Sequence, residues 1–331
     1  MSTRTAPTPA ATVSSSRALP APTVVPFAHP QGCRSYLVAD GAARRALAID
    51  PHLDLVDELE QRLRSEGWTL DYVLDTHTHA DHPSGSAALA ARFGSVRVAH
   101  ALAHHRGVAL HPEDGQELDL GALRARVLHA PGHTPDHLVV VVGNELFTGD
   151  TLLIGGVART DFLGGDAGTL FDTLQRLLAE LGDETVVHPG HDYAGRTEST
   201  LGAERRDNPW LALRERTAFV RALTANPPPR PTNMDDLLGL NREGHPIPAA
   251  LPAAELVGAL AGEGATRVVD VRTGSSSRAS ACVARARSRC TSSCTAPTRC
   301  APRRPRACSC AAPVRAPRRR GAPSSAWAWA A

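Results

Sequence analysis

The run Thr76-His77-Thr78-His79-Ala80-Asp81-His82 puts three imidazoles and a carboxylate within six residues. Neutral nitrogen and anionic oxygen donors crowd together in this way when a divalent transition metal needs both. Three more donors follow, in Pro131-Gly132-His133-Thr134-Pro135-Asp136-His137, Thr148-Gly149-Asp150 and Pro189-Gly190-His191-Asp192. Each stands where an apolar run gives way to small residues that let the backbone turn sharply. The candidate ligands are therefore His77, His79, Asp81, His82, His133, Asp150 and His191. Two chemistries are open to such a set. A pair of ions generates hydroxide and polarises a carbonyl, whereas one ion held by two His and one Asp keeps positions free for Fe(II) chemistry with O₂. The donor inventory alone does not choose between them.

The elements that must position these donors alternate short apolar runs with helical periods. Residues 35–38, 46–49, 72–74, 123–128, 138–142, 145–147 and 185–187 read as strands, with Gly143-Asn144 as a tight turn between two of them. Residues 53–63, 170–181, 200–206 and 210–223 read as helices. The histidine cluster starts where the strand ending at Leu74 stops. Strands mixed with outer helices predict a layered α/β sandwich.

Composition narrows the function classes. A chain of 331 residues with 42% hydrophobic content can bury a sizeable core. Its net charge of +2 hides a split: residues 273–331 hold twelve Arg and no acid, while residues 1–272 hold 24 Arg against 34 acids, a charge of −10. An acidic body lacks the basic stripe that nucleic-acid binding requires. Six of the seven cysteines also lie in the terminal segment, so the body has no disulfide framework, and Cys33 reads as an ordinary buried residue. Met1–Pro22 lacks the apolar centre of a signal peptide, and no apolar stretch approaches membrane-spanning length. These features predict a cytoplasmic protein with a disordered leader over residues 1–23.

The four donor-bearing elements, in this order, resemble the metallo-β-lactamase superfamily over residues 24–206. That resemblance implies an αββα sandwich as the catalytic domain, residues 24–225. It also implies a first metal site from His77, His79 and His133, a second from Asp81, His82 and His191, and Asp150 between them. The stretch Gly149-Asp150-Thr151-Leu152-Leu153-Ile154, followed by Arg159-Thr160-Asp161-Phe162, is similar to the persulfide (sulfur) dioxygenases, the ETHE1-like group. Residues 188–196 and Asn208-Pro209 resemble the same group. Glyoxalase II is expected to carry an aromatic pair and an acidic turn after the equivalent arginine, which Thr160-Asp161 does not match. Ala158 departs from the group, where a glycine is usual, and changes loop freedom rather than chemistry.

The resemblance thus implies one Fe(II) per chain on the catalytic triad His77, His133 and Asp150. His79, Asp81, His82 and His191 become either groups that orient those ligands or ligands of a second metal. The implied reaction oxidises glutathione persulfide, or a related low-molecular-weight thiol persulfide, with O₂ to sulfite and thiol, in sulfide detoxification. Arg159, Asp161, Tyr193 and Arg196 are candidates for gripping the carrier thiol, whose carboxylates suit guanidinium and phenol donors. The alternative is a glyoxalase II-like thioester hydrolase with two divalent ions, Zn, Fe or Mn. A sulfur-carrier partner without activity is a third reading. A homodimer is compatible with each.

Beyond the body, Asn226-Pro227-Pro228-Pro229-Arg230-Pro231 predicts a stiff linker over 226–249. Residues 250–272, ending in Arg267-Val268-Val269-Asp270-Val271-Arg272, resemble the opening of a rhodanese domain, a sulfur-transfer module. Residues 273–331 contain no Leu, Ile, Phe, Tyr, Met, Asp, Glu, Lys or His, a composition that predicts disorder and an out-of-frame coding stretch. No role is assigned to Cys300.

Overall fold

The computed structural model describes residues 20–162, 164–230 and 233–243. The expected leader up to residue 19, the rhodanese-like opening at 250–272 and the tail at 273–331 lie outside the described residues.

Two sheets form the centre. The first comprises β1 (Thr23–Ala28), β2 (Arg34–Asp40), β3 (Arg45–Ile49), β4 (Thr69–Leu74) and β5 (Val96–Val98), paired in that order. Its first three strands are antiparallel, and β4 and β5 continue in parallel. The second contains β6 (Glu117–Leu120), β7 (Leu123–His129), β8 (Leu138–Val142) and β9 (Glu145–Gly149). A two-stranded ribbon of β10 (Leu152–Leu153) and β11 (Gly156–Val157) follows β9. The second sheet is completed by β12 (Val186–Pro189) and β13 (Ser199–Thr200), in the order β13-β12-β9-β8-β7-β6. Only the β9–β12 pairing in it is parallel.

Strand periodicity explains the layering, because successive side chains point to opposite faces. Tyr36 and Val38 of β2, with Leu47 and Ile49 of β3, face Leu138, Val140 and Val142 of β8 and Phe147 of β9 across the sheet interface. Their neighbours Leu37, Ala39, Ala46 and Ala48 face outward, onto Val56, Leu59 and Leu63 of α1 (Val56–Glu66) and Leu89 and Ala90 of α2 (Ser86–Phe93). On the far side, Leu128, Val139 and Val141 pack under α3 (Ala167–Glu180) through Leu170, Leu174 and Leu177. Phe171 of that helix meets Phe219 of α5 (Arg216–Thr224) edge-on, past the short α4 (Leu201–Asp207). Helices thus cover both outer faces of a sheet pair, the αββα sandwich. Each fully buried leucine contributes roughly 1.5–3 kcal/mol.

Two of the expected segments take a different form. The helix expected over 210–223 begins only at Arg216, because the Asn208 side chain accepts from Trp210 N–H at 3.0 Å and its carbonyl from Leu211 and Ala212, closing a local turn. The interval expected as a linker, 226–249, contains the helix α6 (Met234–Glu243). Met234 and Leu238 of α6 pack on Ala80 and Phe162, so this segment belongs to the body. No helix among the described residues is long and apolar enough to cross a membrane.

Candidate metal centre

The cluster is assembled where β4, β7, β9 and β12 end, and the threonines of the first motif explain how. Thr76 N–H and Oγ1–H donate to the two oxygens of Asp50 at 2.6 and 2.7 Å. Thr78 N–H and Oγ1–H both donate to Asp136 Oδ2, at 2.9 and 2.6 Å. Two carboxylates from different loops therefore pin alternate residues, and His77 and His79 are left to face the centre. Asp50 adopts a left-handed backbone with φ 47°, unusual for a non-glycine residue, at the exit of β3. Gly149 also has a positive φ, 48°, and a Cβ there would lie 2.6 Å from Thr76 Oγ1 and 2.8 Å from His137 Nε2. Only glycine lets β9 deliver Asp150 at that point.

Hydrogen bonding fixes which nitrogen each imidazole presents. The Thr76 hydroxyl, having given its proton to Asp50, accepts from His77 Nδ1 at 3.0 Å, which leaves His77 Nε2 free. His133 Nδ1 donates to the Arg159 carbonyl at 2.7 Å, leaving Nε2, which is 3.8 Å from Asp150 Oδ2. His79 Nε2 donates to Asp50 Oδ1 at 3.2 Å, and its Nδ1 is buried without a partner. Such anchoring of the far nitrogen is how proteins orient imidazole ligands.

His77, His133 and Asp150 bring donor atoms within 4.8 Å of one another, and all three are buried or nearly so. Burial, then the neighbouring imidazoles of His79 and His133, holds the His77 pKa well below its ordinary value, so the ring is neutral and has a lone pair to give. Burial opposes ionisation of the Asp150 carboxyl, but the charge and hydrogen bond of His191 together with the His133 ring hold it at about 2.

The other four predicted donors adjoin this triad. His191 Nδ1 donates to Asp150 Oδ1 at 2.7 Å and its Nε2 to Asp81 Oδ2 at 2.9 Å. His82 Nδ1 is 3.2 Å from the same Asp81 oxygen, and His82 Nε2 is buried without a partner. Two orphaned imidazole nitrogens in one buried pocket of neutral and anionic donors fit a transition metal.

Of the residues predicted to grip substrate, Tyr193 is 57% exposed and stacks on His191, with ring centroids 5.9 Å apart. Arg196 is half exposed and pairs with Asp192 at 3.0 Å. Arg159 and Asp161 hold each other in a two-pronged pair, 2.7 Å on each prong, and Arg159 also donates to the carbonyls of Pro228 and Pro229 at 2.6 and 3.1 Å.

Sequence reasoning missed several contributors. His137 accepts from Asp150 N–H at 2.9 Å and therefore directs its Nδ1 proton to Thr151 Oγ1 at 3.1 Å. Burial and then the His133 ring push its pKa down to about 3, keeping it a neutral acceptor. Cys33, expected to be an ordinary core residue, has its Sγ 3.4 Å from Asp81 Oδ2. Asp50 and Asp136 also escaped notice, since a lone aspartate at a strand end or in a turn carries no periodic signal.

This geometry has counterparts. The metallo-β-lactamase superfamily profile matches residues 30–191. The bovine (Bos taurus) persulfide dioxygenase ETHE1, mitochondrial, is 34% identical over 209 residues, covering 62% of this chain and 82% of that protein. The chain belongs to the metallo-β-lactamase superfamily. Within the superfamily, the crystal structure of ETHE1 from Myxococcus xanthus superposes with a TM-score of 0.65 at 38% identity, covering 67% of this chain and all of that one. A hydroxyacylglutathione hydrolase of Polaromonas sp. is 39% identical over 180 residues, covering 53% of this chain and 67% of that protein. The superfamily members that resemble this chain therefore include both an oxygenase and a hydrolase.

Proposed function

We propose that the chain is a sulfur dioxygenase that oxidises a low-molecular-weight thiol persulfide, glutathione persulfide being the model compound, with O₂ and water to sulfite and thiol. The observation that carries this reading is the buried set His77, His133 and Asp150, two imidazoles and a carboxylate with donor atoms within 4.8 Å of one another, which would hold one Fe(II). Bound there, Fe(II) would supply open positions for an anionic sulfur and for O₂. His191, 2.7 Å from Asp150 and 2.9 Å from Asp81, is placed to brace both carboxylates.

The chain's own residues do the rest. Arg159 O and Thr76 Oγ1 keep the His133 and His77 rings aimed, His137 holds the backbone of Asp150, and burial of the cluster excludes bulk water. The carrier thiol lies against Tyr193, Arg196, Arg159 and Asp161, with Tyr193 presenting the most open surface. The ETHE1-type relatives and the Thr160-Asp161 sequence support the same reading. A cytoplasmic location is proposed with it and, from the acidic body, the absence of a nucleic-acid partner.

The test is an oxygen-electrode assay on anaerobically iron-loaded protein with glutathione persulfide. Oxygen uptake matched by sulfite, with one iron per chain, is expected. Iron-loaded protein that consumes no oxygen ends the reading. The 39% identity to a hydroxyacylglutathione hydrolase favours a second reading, a two-metal thioester hydrolase. Turnover of S-lactoylglutathione with two metals per chain would establish that one instead.

A further inference from the structure

Asn241 lies on α6, beyond the proline run and far in sequence from every candidate ligand, yet its side chain ends inside the metal-binding loop. Its Oδ1 accepts from Ser84 N–H at 2.8 Å. Its Nδ2 donates to the carbonyls of His79 and His82, each at 2.9 Å. Both amide protons and one acceptor position are therefore used, and the residue is 5% exposed. The orientation of the amide is dictated by its surroundings, since a flip would set an N–H against Ser84 N–H and an oxygen against two carbonyls.

The three bonds span one short segment, residues 79–84, which carries His79, Asp81 and His82. The helix that brings Asn241 there is fastened independently. Met234 and Leu238 pack on Ala80 and Phe162, and Arg106 N–H donates to the Arg242 carbonyl at 2.7 Å. The same stretch of chain also reaches the second ligand loop. Arg159 donates to Pro228 and Pro229, Arg230 donates to the Asp161 carbonyl at 3.0 Å, and the Arg159 carbonyl is the group that aims His133.

We infer that Asn241 is a positioning residue for the metal centre, setting the backbone of the 79–84 turn so that its side chains meet the donors from β9 and β12. The inference rests on the reading of residues 77–82 as metal-binding, and not on which substrate is oxidised. A buried polar group that satisfies three backbone groups at once transmits its own position to them, because leaving any of them unpaired costs about 1–3 kcal/mol. Aspartate at this position keeps the acceptor for Ser84 N–H, loses both donors and faces two carbonyl oxygens. Serine keeps a single hydroxyl that is too short to bridge the turn.

The test compares Asn241→Asp and Asn241→Ser with Leu237→Ala in the full-length chain. Leu237 is buried on the same helix but stands outside the cluster with Ala80 and Phe162, so Leu237→Ala loosens the helix and touches none of the three bonds. Iron affinity is read by competition with a chelator, and ligand geometry by the visible absorption spectrum of the Co(II)-loaded protein. The Asn241 variants are expected to bind iron at least about tenfold more weakly and to change the Co(II) spectrum. Leu237→Ala is expected to lose stability while keeping wild-type affinity and spectrum. If Asn241→Asp is not recovered folded, Asn241→Ser supplies the same two readings. Wild-type affinity and spectrum in the Asn241 variants overturn the inference, as does equal iron loss from Leu237→Ala. Wild-type protein that binds no iron overturns instead the metal-binding reading on which the inference stands.

Discussion

Nδ1 of His191 lies 2.7 Å from Oδ1 of Asp150, and the bond leaves the other carboxylate oxygen, Oδ2, turned toward His133. Asp150 is thus divided between a protein donor and the metal position. On the opposite side of the ring, Asp81 accepts from Nε2 at 2.9 Å.

His191→Ala removes the brace and leaves Asp150 free to rotate. Iron affinity is expected to fall about 10–100-fold, while the stoichiometry of bound iron at saturation stays at one per chain. Chelator competition and metal analysis check both. A fall from two metals to one would identify His191 as a ligand and favour the hydrolase.

Asp50→Ala strands Thr76 N–H, the Thr76 hydroxyl and His79 Nε2–H in a buried site. A loss of at least about 3 kcal/mol in unfolding free energy is expected, read from the urea midpoint at unchanged slope. Iron affinity should fall with it, because the His77 and His79 tautomers are no longer fixed. An Asp50→Ala protein with wild-type stability would show that water satisfies these groups.

His137 gives a pH signature. Its native pKa is down at about 3, while an unfolded histidine titrates near 6.5. Below that unfolded value the unfolded chain binds the extra proton, so native stability declines as pH falls from about 6.5 toward 3, by up to about 1.4 kcal/mol per pH unit for this one group. His137→Phe should flatten that part of the metal-free stability profile. Identical profiles for the two proteins would mean that His137 is charged in the native state.

Tyr193→Ala, at the open edge of the site, is expected to raise KM for glutathione persulfide about tenfold, with iron content unchanged, if its hydroxyl grips the carrier. Arg159→Met is expected to act differently, lowering kcat and iron affinity by releasing the Pro228–Pro229 carbonyls and the loop that orients His133. Steady-state kinetics with metal analysis separate the two patterns. A pure KM effect in Arg159→Met would confine its role to substrate contact.

Much of this architecture is legible in the sequence. The strand at Leu138–Val142 was bounded as observed, since five apolar β-formers end at Gly143-Asn144. The seven predicted donors are brought near one another, whereas Cys33, Asp50 and His137, which adjoin them, carry no local motif that would single them out. The helix α2 was not legible, as half of Ser86–Phe93 is alanine and the segment offers little contrast between its faces. The helix α6 did carry a signal, with Met234, Leu237, Leu238 and Asn241 at helical spacing, but the preceding prolines drew attention to a linker. Asp50, Asp136 and Asn241 were invisible for another reason. Their importance lies in what they reach across the fold, and sequence spacing contains no trace of that.

The alternation of threonine and histidine from Thr76 to His79 has a consequence for how this gene can change. Replacing either threonine by serine keeps the hydroxyl and its backbone N–H, and so keeps both carboxylate anchors. Removing or adding one residue within the run parts at least one threonine from its carboxylate and shifts His77 or His79 out of the place those anchors give it. The segment should therefore tolerate conservative spelling changes and reject every change of length, even in a protein that still folds around it.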